Sequence, residues 1–574
     1  MFFLLAALLV SFPYFSSPVL ATPVQLRTPS KRTSTIRFEL DLTWESVSPD
    51  GYQRNGILMN GQFPGPVLEL HEGDNVEFLV HNHLPFNESI HFHGIEQYKT
   101  PWSDGVPGLS QNPIHPGESF LYKWTATQYG TYWYHSHDSF HISDGLYGPI
   151  LIHPSSDEPT PFGSISNDAY DIRLMQQAEC NPTPVILSDW THFTSDEFLN
   201  IEKQANIDNF CIDSVLVNGI GSEICLPQSE INALTNPILA PLLNGTTLTP
   251  KGCIPATNPI AQGNFTHDFN KLPPTAFDIC QPSTGGTEVI EVDAKDGWAS
   301  INLISAASIN VYTFSIDEHP MWIYEVDGRH IEPRLVDAVT IENGNRYSAM
   351  VKLDKTPGEY TIRVANAGLN QLISGFATFA YKGSNQKFDS TPFINYAAVN
   401  TTPSVVIFDD TTIKPFPPTR PAPTSDVTYH LMIDQFGAPW KWTLSGKESF
   451  GLDLENQTPL LFDPTSPEAK NQNLTITTKM GQWVDIIVQV AFPLQPPHAL
   501  HKHSNKAYII GAGVGAFNWS TVAEAMQEIP QFFNLENPPF RDGFTTIPTL
   551  TEPTWIAIRY LVENPGCFLF HCRK

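Results

Sequence analysis

Gly130 to His137 reads GTYWYHSH, and its pattern returns twice, as GEYTIRVAN from Gly358 to Asn366 and GCFLFHC from Gly566 to Cys572. Each copy starts with a glycine after a turn and continues as alternating aromatic or β-branched residues, which is strand patterning. Upstream of each lies another strand with a glycine turn: HEGDNVEFLV, IENGNRYSAMVKL and TKMGQWVDIIVQV. NGQFPGPVLEL and VLVNGIG add further turn-plus-strand pieces. Three similar strand sets predict an all-β chain of three related sandwiches, at about 30–155, 160–385 and 400–574. The Pro-rich stretch from Ile413 to Asp426 reads as a stiff surface connection near the start of the third unit.

Composition agrees. The 574 residues are 41% hydrophobic, enough for several cores. Only 16% are charged and 50 are proline, which favours short strands joined by turns over long surface helices. The net charge of -27 repels nucleic acid and anionic membranes.

The N-terminus, MFFLLAALLVSFPYFSSPVLATPVQL, has an apolar run from Phe2 to Val10 that is too short to span a bilayer. Val19 and Ala21 have signal-peptidase spacing, so residues 1–21 are expected to be a secretory signal. No later stretch is apolar enough for a membrane span. Secretion fits seven sequons, at Asn87, Asn244, Asn264, Asn400, Asn456, Asn473 and Asn518, which predict a glycoprotein. It also fits five cysteines between Cys180 and Cys280, where disulfides are expected with no pairing set by sequence. The other two are Cys567 and Cys572, and an odd total leaves at least one thiol unpaired or metal-bound.

The histidines are grouped. HFHG carries His91 and His93, HSH carries His135 and His137, HALHKH carries His498, His501 and His503, and the chain closes with His571 and Cys572 before Arg573 and Lys574. Residues i and i+2 of a strand share a face, so each His-x-His pair projects together. His498 is an odd step from His501, and Cys572 points opposite to His571. One strand can therefore offer a thiolate to one metal and an imidazole to another. Imidazole suits copper, zinc or iron, and a His-thiolate site on a β-sandwich points to blue copper. Zinc is the less natural fit to this ligand set.

With WSDG, HFHG, TYWYHSH, DGLYGPILIH, HALHKH and NPGCFLFHC in this order, the chain resembles the multicopper oxidases, most closely fungal laccase-like enzymes. The resemblance covers essentially the whole mature chain and implies three cupredoxin-like Greek-key sandwiches. It implies type 2 copper on His91 and His501, and type 3 copper on His93, His135, His137, His503 and His571. Type 1 copper would sit on His498 and Cys572, and Asp104 of WSDG would support proton delivery, its alternative being a turn residue before Gly105. The implied activity is one-electron oxidation of phenolic or related substrates, coupled to reduction of dioxygen to water. A role in pigment or secondary-metabolite coupling is expected by resemblance, in a secreted monomer that is extracellular or wall-associated. The alternatives are a ferroxidase, although no acidic set near the type 1 site is recognisable, and a copper-poor surface protein.

The chain departs from the family at its end. The family's motif continues His-Cys-His, then a further histidine and an axial residue; here Arg573 follows Cys572, and an arginine cannot ligate copper. The type 1 site is thus expected to be incomplete. His-Cys-Arg-Lys can be encoded CAC TGC CGT AAG, whose GTAAG is a common intron start, so the ending is expected to be unspliced intron. Asn112 stands where laccases usually carry a cysteine, so one common disulfide is expected to be absent. Cys567 reads as a core or free thiol.

Overall fold

The computed structural model describes residues 7–12, 34–450, 452–491 and 494–572. Strands dominate it, and the longest helices among the described residues, Ala169–Glu179 and Ser195–Ala205, have 11 residues each. The second begins in a capping box, in which Thr194 accepts from the Glu197 amide while the Glu197 side chain reaches back.

Each unit is a pair of sheets around its own core. In the first, Arg54–Met59, Thr35–Val47, Asn75–Asn82 and Ser119–Thr125 form one sheet, and Leu68–His71, Tyr147–His153, Gly130–Ser136 and Ile90–His93 the other. Leu40, Leu42, Ile57, Phe78, Val80, Phe92 and Tyr132 fill the space between them. The second unit packs a seven-stranded against a five-stranded sheet, and the third a six-stranded against a five-stranded one.

Burial along the strands separates two kinds. Asn75–Asn82 alternates between buried and half-buried positions, as an outer strand should. Gly130–Ser136 and Cys567–Cys572 are buried at every position. Their second face meets another unit: Tyr132 and Tyr134 enter the first core, whereas Trp133 points the other way and packs with Ile186 and Ile304 of the second unit. The histidine-bearing strands therefore lie at seams between units.

A shared topology relates the three units. Tyr147–His153 lies parallel to Leu68–His71 and antiparallel to Gly130–Ser136. Ser374–Tyr381 lies in the same way between Glu288–Val292 and Glu359–Asn366. In the third unit that place, between Thr475–Lys479 and Cys567–Cys572, is taken by Ala7–Phe12. Ala7–Phe12 is the described part of the expected signal; Val19, Ala21 and the cleavage point between Ala21 and Thr22 lie outside the described residues, as do Arg573 and Lys574. The Pro-rich segment has no helix or strand, as expected, and its Ala422 carbonyl accepts from Arg559 at 2.8 Å.

Buried ion pairs join the units. Arg346 donates to both oxygens of Asp542 at 2.6 and 2.8 Å, and to the Thr131 carbonyl at 3.2 Å. Arg541 donates to Asp327 at 2.8 Å and to Asp410 at 2.6 Å. One arginine thus reaches all three units. Removing one partner of such a pair leaves the other charge buried and uncompensated, at a cost of about 3–5 kcal/mol. Arg346→Met is expected to lower the unfolding free energy by that order, read as a lower urea midpoint. An unchanged midpoint would show that the pair does not hold the seam.

Candidate metal centre

The Ile90–His93 and Gly130–Ser136 strands pair so that His91 stands opposite His135. The Ala499–Lys502 and Cys567–Cys572 strands pair so that His501 stands opposite His571. The first and third units then face each other across one seam. The rings of His93 and His501 stack with centroids 3.6 Å apart, and those of His91 and His503 at 3.9 Å. His137 completes the group, 5.2 Å from His503 and 5.6 Å from His571. Two triplets, His91 with His93 and His501, and His137 with His503 and His571, each bring their ligand atoms within 4.8 Å of one another. His135 sits beside them, its ring centroid 5.7 Å from that of His93. All seven histidines are buried.

The backbone sets which nitrogen faces inward. Nδ1 of His91 contacts the Asp104 carbonyl at 2.6 Å, His135 the Ser136 carbonyl at 2.7 Å, His501 the Asp542 carbonyl at 3.1 Å and His571 the Cys572 carbonyl at 3.0 Å. A carbonyl only accepts, so each Nδ1 carries the proton and each Nε2 keeps its lone pair. His503 Nδ1 donates to Asp104 Oδ2 at 2.9 Å. The Nε2 atoms of His503 and His571, both left with lone pairs, then lie 3.2 Å apart. That is about the spacing of two nitrogens bound to one ion at roughly 2.0–2.1 Å. His91 Nε2 is buried with no hydrogen-bond partner among the described residues. Burial, then the charge of His503, holds the His91 pKa well below its ordinary value. The set is neutral and nitrogen-rich, and it fits copper.

Asp104 sits under two imidazoles. It follows the short turn Pro101–Ser103 and is fully buried, and burial pushes its pKa up to about 6. It is both the turn residue and a partner of the histidines. Lys502, between His501 and His503, is drawn down to about 7 by burial, against the pull of Asp104 and Glu96.

Cys572 and His571 project to opposite faces of their strand, as alternation requires. Cys572 packs with Leu500, Phe544 and Phe570 of the third core, and its Sγ lies 3.7 Å from His498 Nδ1. His498 precedes Ala499–Lys502, and its amide donates to Thr546 Oγ1 at 2.9 Å. The structure therefore unites the two expected type 1 residues while His571 reaches the other cluster. Cys567 is a buried core thiol, and burial raises its pKa well above the ordinary value. Disulfides join Cys211 to Cys253 and Cys225 to Cys280, leaving Cys180 exposed and unpaired.

Some functional groups escaped the sequence reading. Asp542-Gly543 repeats the role of Asp104-Gly105: in each, the Asp carbonyl orients the first histidine of a His-x-His pair. A search for Asp-Gly in the first and third units was the available signal. Asp208 and Glu342 line a cleft beside His498 with Phe210, Ile309, Trp442 and Leu494. Trp442 lies edge-on to His498 at 5.2 Å, and its Nε1 reaches Asp208 Oδ2 at 3.4 Å. These acids come from the second unit, far in sequence from Cys572, so no local motif marks them.

Three profiles described as multicopper oxidase match residues 41–157, 181–384 and 445–574. The chain belongs to the multicopper oxidase family. It is 48% identical over 546 residues to laccase abr2 of Aspergillus fumigatus, covering 94% of this chain and 92% of that protein. It is 41% identical over 549 residues to multicopper oxidase elcG of Phaeosphaeria nodorum, covering 94% and 88%. Among solved structures it shares the fold of the Botrytis aclada laccase, with a TM-score of 0.67 and 23% identity over 95% of this chain and 86% of that one. The chain is thus a copper-dependent oxidase of three cupredoxin-type units, and type 1, 2 and 3 coppers are its family's cofactors.

Gly105 controls the geometry on the first-unit side. Its φ is +83°, and a Cβ there would strike the Ile90 carbonyl next to His91. Gly61, at φ +75°, has open space around it. Gly105→Ala is expected to lower copper bound per chain severalfold, whereas Gly61→Ala loses only about 1 kcal/mol of stability to backbone strain. Metal analysis and urea unfolding of both variants check this.

Proposed function

We propose that this protein is a secreted laccase-like oxidase that takes single electrons from phenolic or related aromatic substrates and reduces dioxygen to water. The observation that carries the reading is the Cys572–His571 dipeptide. It joins a thiolate–imidazole pair beside an open cleft to a buried cluster of histidines from two units. His498 and Cys572 would hold type 1 copper, His91 and His501 type 2, and His93, His135, His137, His503 and His571 type 3. Bound copper supplies one-electron redox chemistry at the thiolate and multi-electron reduction of dioxygen at the cluster.

The side chains of this chain then have distinct tasks. The cleft presents Phe210, Ile309 and Leu494 to an aromatic ring, and Trp442 bridges it to His498. A phenol losing an electron becomes a strong acid, and Asp208 is placed to receive its proton. Glu342, pushed up to about 8 by burial and then by Asp410, stays protonated at neutral pH and can donate a hydrogen bond to a phenolic oxygen. At the cluster, Asp104 can hold a proton near neutral pH, between His503 and the His91 side. The same two acids, Asp208 and Glu342, supply the carboxylates that an iron-oxidising reading requires, so Fe2+ is the competing substrate. Fet3p, a multicopper oxidase that functions in iron import, has a solved structure of the same fold, and at 21% identity it speaks for fold alone.

Secretion and glycosylation are supported by the two disulfides and by the exposure of Asn244, Asn264, Asn400, Asn456 and Asn518. Asn87 and Asn473 are half-buried. A place in pigment or secondary-metabolite coupling follows from the phenolic reading and rests on it.

Oxygen uptake with a phenol and with Fe2+, beside copper quantitation, tests the proposal. The test is run on this chain and on one continued past Cys572 with a histidine at the next position. Phenol-driven uptake is expected in the continued chain, with a loss of at least about 100-fold in its Cys572→Ser variant. Uptake with Fe2+ alone would overturn the phenolic reading. A continued chain that stays colourless and copper-poor would favour a surface protein. Asp208→Asn is expected to lower kcat/KM for phenols about 10–100-fold, least for those already deprotonated at the assay pH.

A further inference from the structure

A second group of metal-binding side chains lies apart from the histidine cluster, at the seam of the first and second units. His192 follows the strand Thr183–Trp190, Asp213 precedes Ser214–Val217, and Glu223 follows Ile220–Gly221. These strands are neighbours at one edge of the seven-stranded sheet, so their ends bring the three residues together. His192 Nδ1 lies 3.6 Å from Asp213 Oδ1 and 3.6 Å from Glu223 Oε2. All three ligand atoms fall within 4.8 Å of one another, and all three residues are buried.

The surroundings prepare His192 to bind a cation. Its Nε2 meets Asp50 Oδ2 of the first unit at 2.8 Å. A carboxylate only accepts, so Nε2 carries a proton, and in the neutral ring the lone pair on Nδ1 would face Asp213 and Glu223. Asp50 is itself held by the Ser214 hydroxyl at 2.9 Å and the Tyr52 amide at 3.0 Å, and Tyr52 stacks on the imidazole at 3.8 Å. The ring is therefore fixed, in the carboxylate–histidine arrangement that supports metal ligands. Neither His192 Nδ1 nor Glu223 Oε2 has a hydrogen-bond partner among the described residues. Glu223 Oε1 accepts from the Gln281 amide at 2.9 Å, which anchors the other carboxylate oxygen. Lys251 lies 2.7 Å from Asp213 Oδ1, and the nearby Arg54 is paired with Asp144 at 2.8 Å. With His192 neutral and all three carboxylates of Asp50, Asp213 and Glu223 ionised, the one ammonium of Lys251 leaves two negative charges, the balance of one divalent cation.

We propose that His192, Asp213 and Glu223 hold one zinc ion that pins the first unit to the second through Asp50. One imidazole with two carboxylates suits Zn2+, and the absence of thiolate or further imidazole among these three ligands separates the site from the copper centres.

The test uses copper-loaded full-length protein equilibrated with Zn2+ and then freed of excess, as wild type and as Glu223→Gln. The wild type is expected to retain one more zinc per chain than the variant. Zn2+ is expected to raise the wild-type melting temperature and leave that of the variant unchanged. Equal zinc in both, or none in the wild type, overturns the proposal and leaves a protonated His192 as the reading. Should Glu223→Gln fail to fold, zinc-edge X-ray absorption of the wild type decides. A shell of one imidazole and oxygens supports the site, and a shell of several imidazoles or a thiolate overturns it.

Discussion

Charge as well as apolar contact holds the three units together, and the salt bridge of Arg346 with Asp542 joins the second to the third beside the first. Arg346 belongs to the second unit, donates to both Asp542 oxygens in the third, and reaches the Thr131 carbonyl in the first. The Asp542 backbone carbonyl in turn receives His501 Nδ1. Placing two charges out of water is costly unless each is fully paired. Arg541, Asp327 and Asp410 extend the pairing. The arrangement is satisfied only when all three units sit in one relation, and in that relation the imidazoles of two units meet at one seam.

At the cluster, small backbone devices orient the imidazoles. The same element, an Asp-Gly turn, supplies the carbonyl that fixes the first histidine of each facing pair. Carbonyl acceptors fix the proton on Nδ1 and aim the Nε2 lone pairs inward, while burial disfavours the charged ring of His91. One strand then serves two centres, because its side chains alternate: His571 turns to the buried cluster and Cys572 to the core beside His498.

The second unit contributes no imidazole to the two histidine triplets, yet it joins the other two units. It provides Arg346 for the seam and Asp208 and Glu342 for the cleft. It also carries His192, Asp213 and Glu223 at the edge against the first unit. Its disulfides, Cys211–Cys253 and Cys225–Cys280, lie in the chain that builds the cleft wall and flanks this second cluster. The second unit thus supplies both contacts between units and part of the cleft lining.

What the sequence determined by itself was periodic. Glycine turns followed by alternating strands gave three sandwiches, and a two-residue repeat put His91 with His93, His501 with His503, and Cys572 opposite His571. Those inferences need only neighbours along one strand. Tertiary structure alone decided which lone residues meet: Asp104 with His503, Asp542 with Arg346, Asp208 with Trp442, His192 with Asp50. A single polar residue carries no period, and its buried charge finds a partner only where separate units close around it.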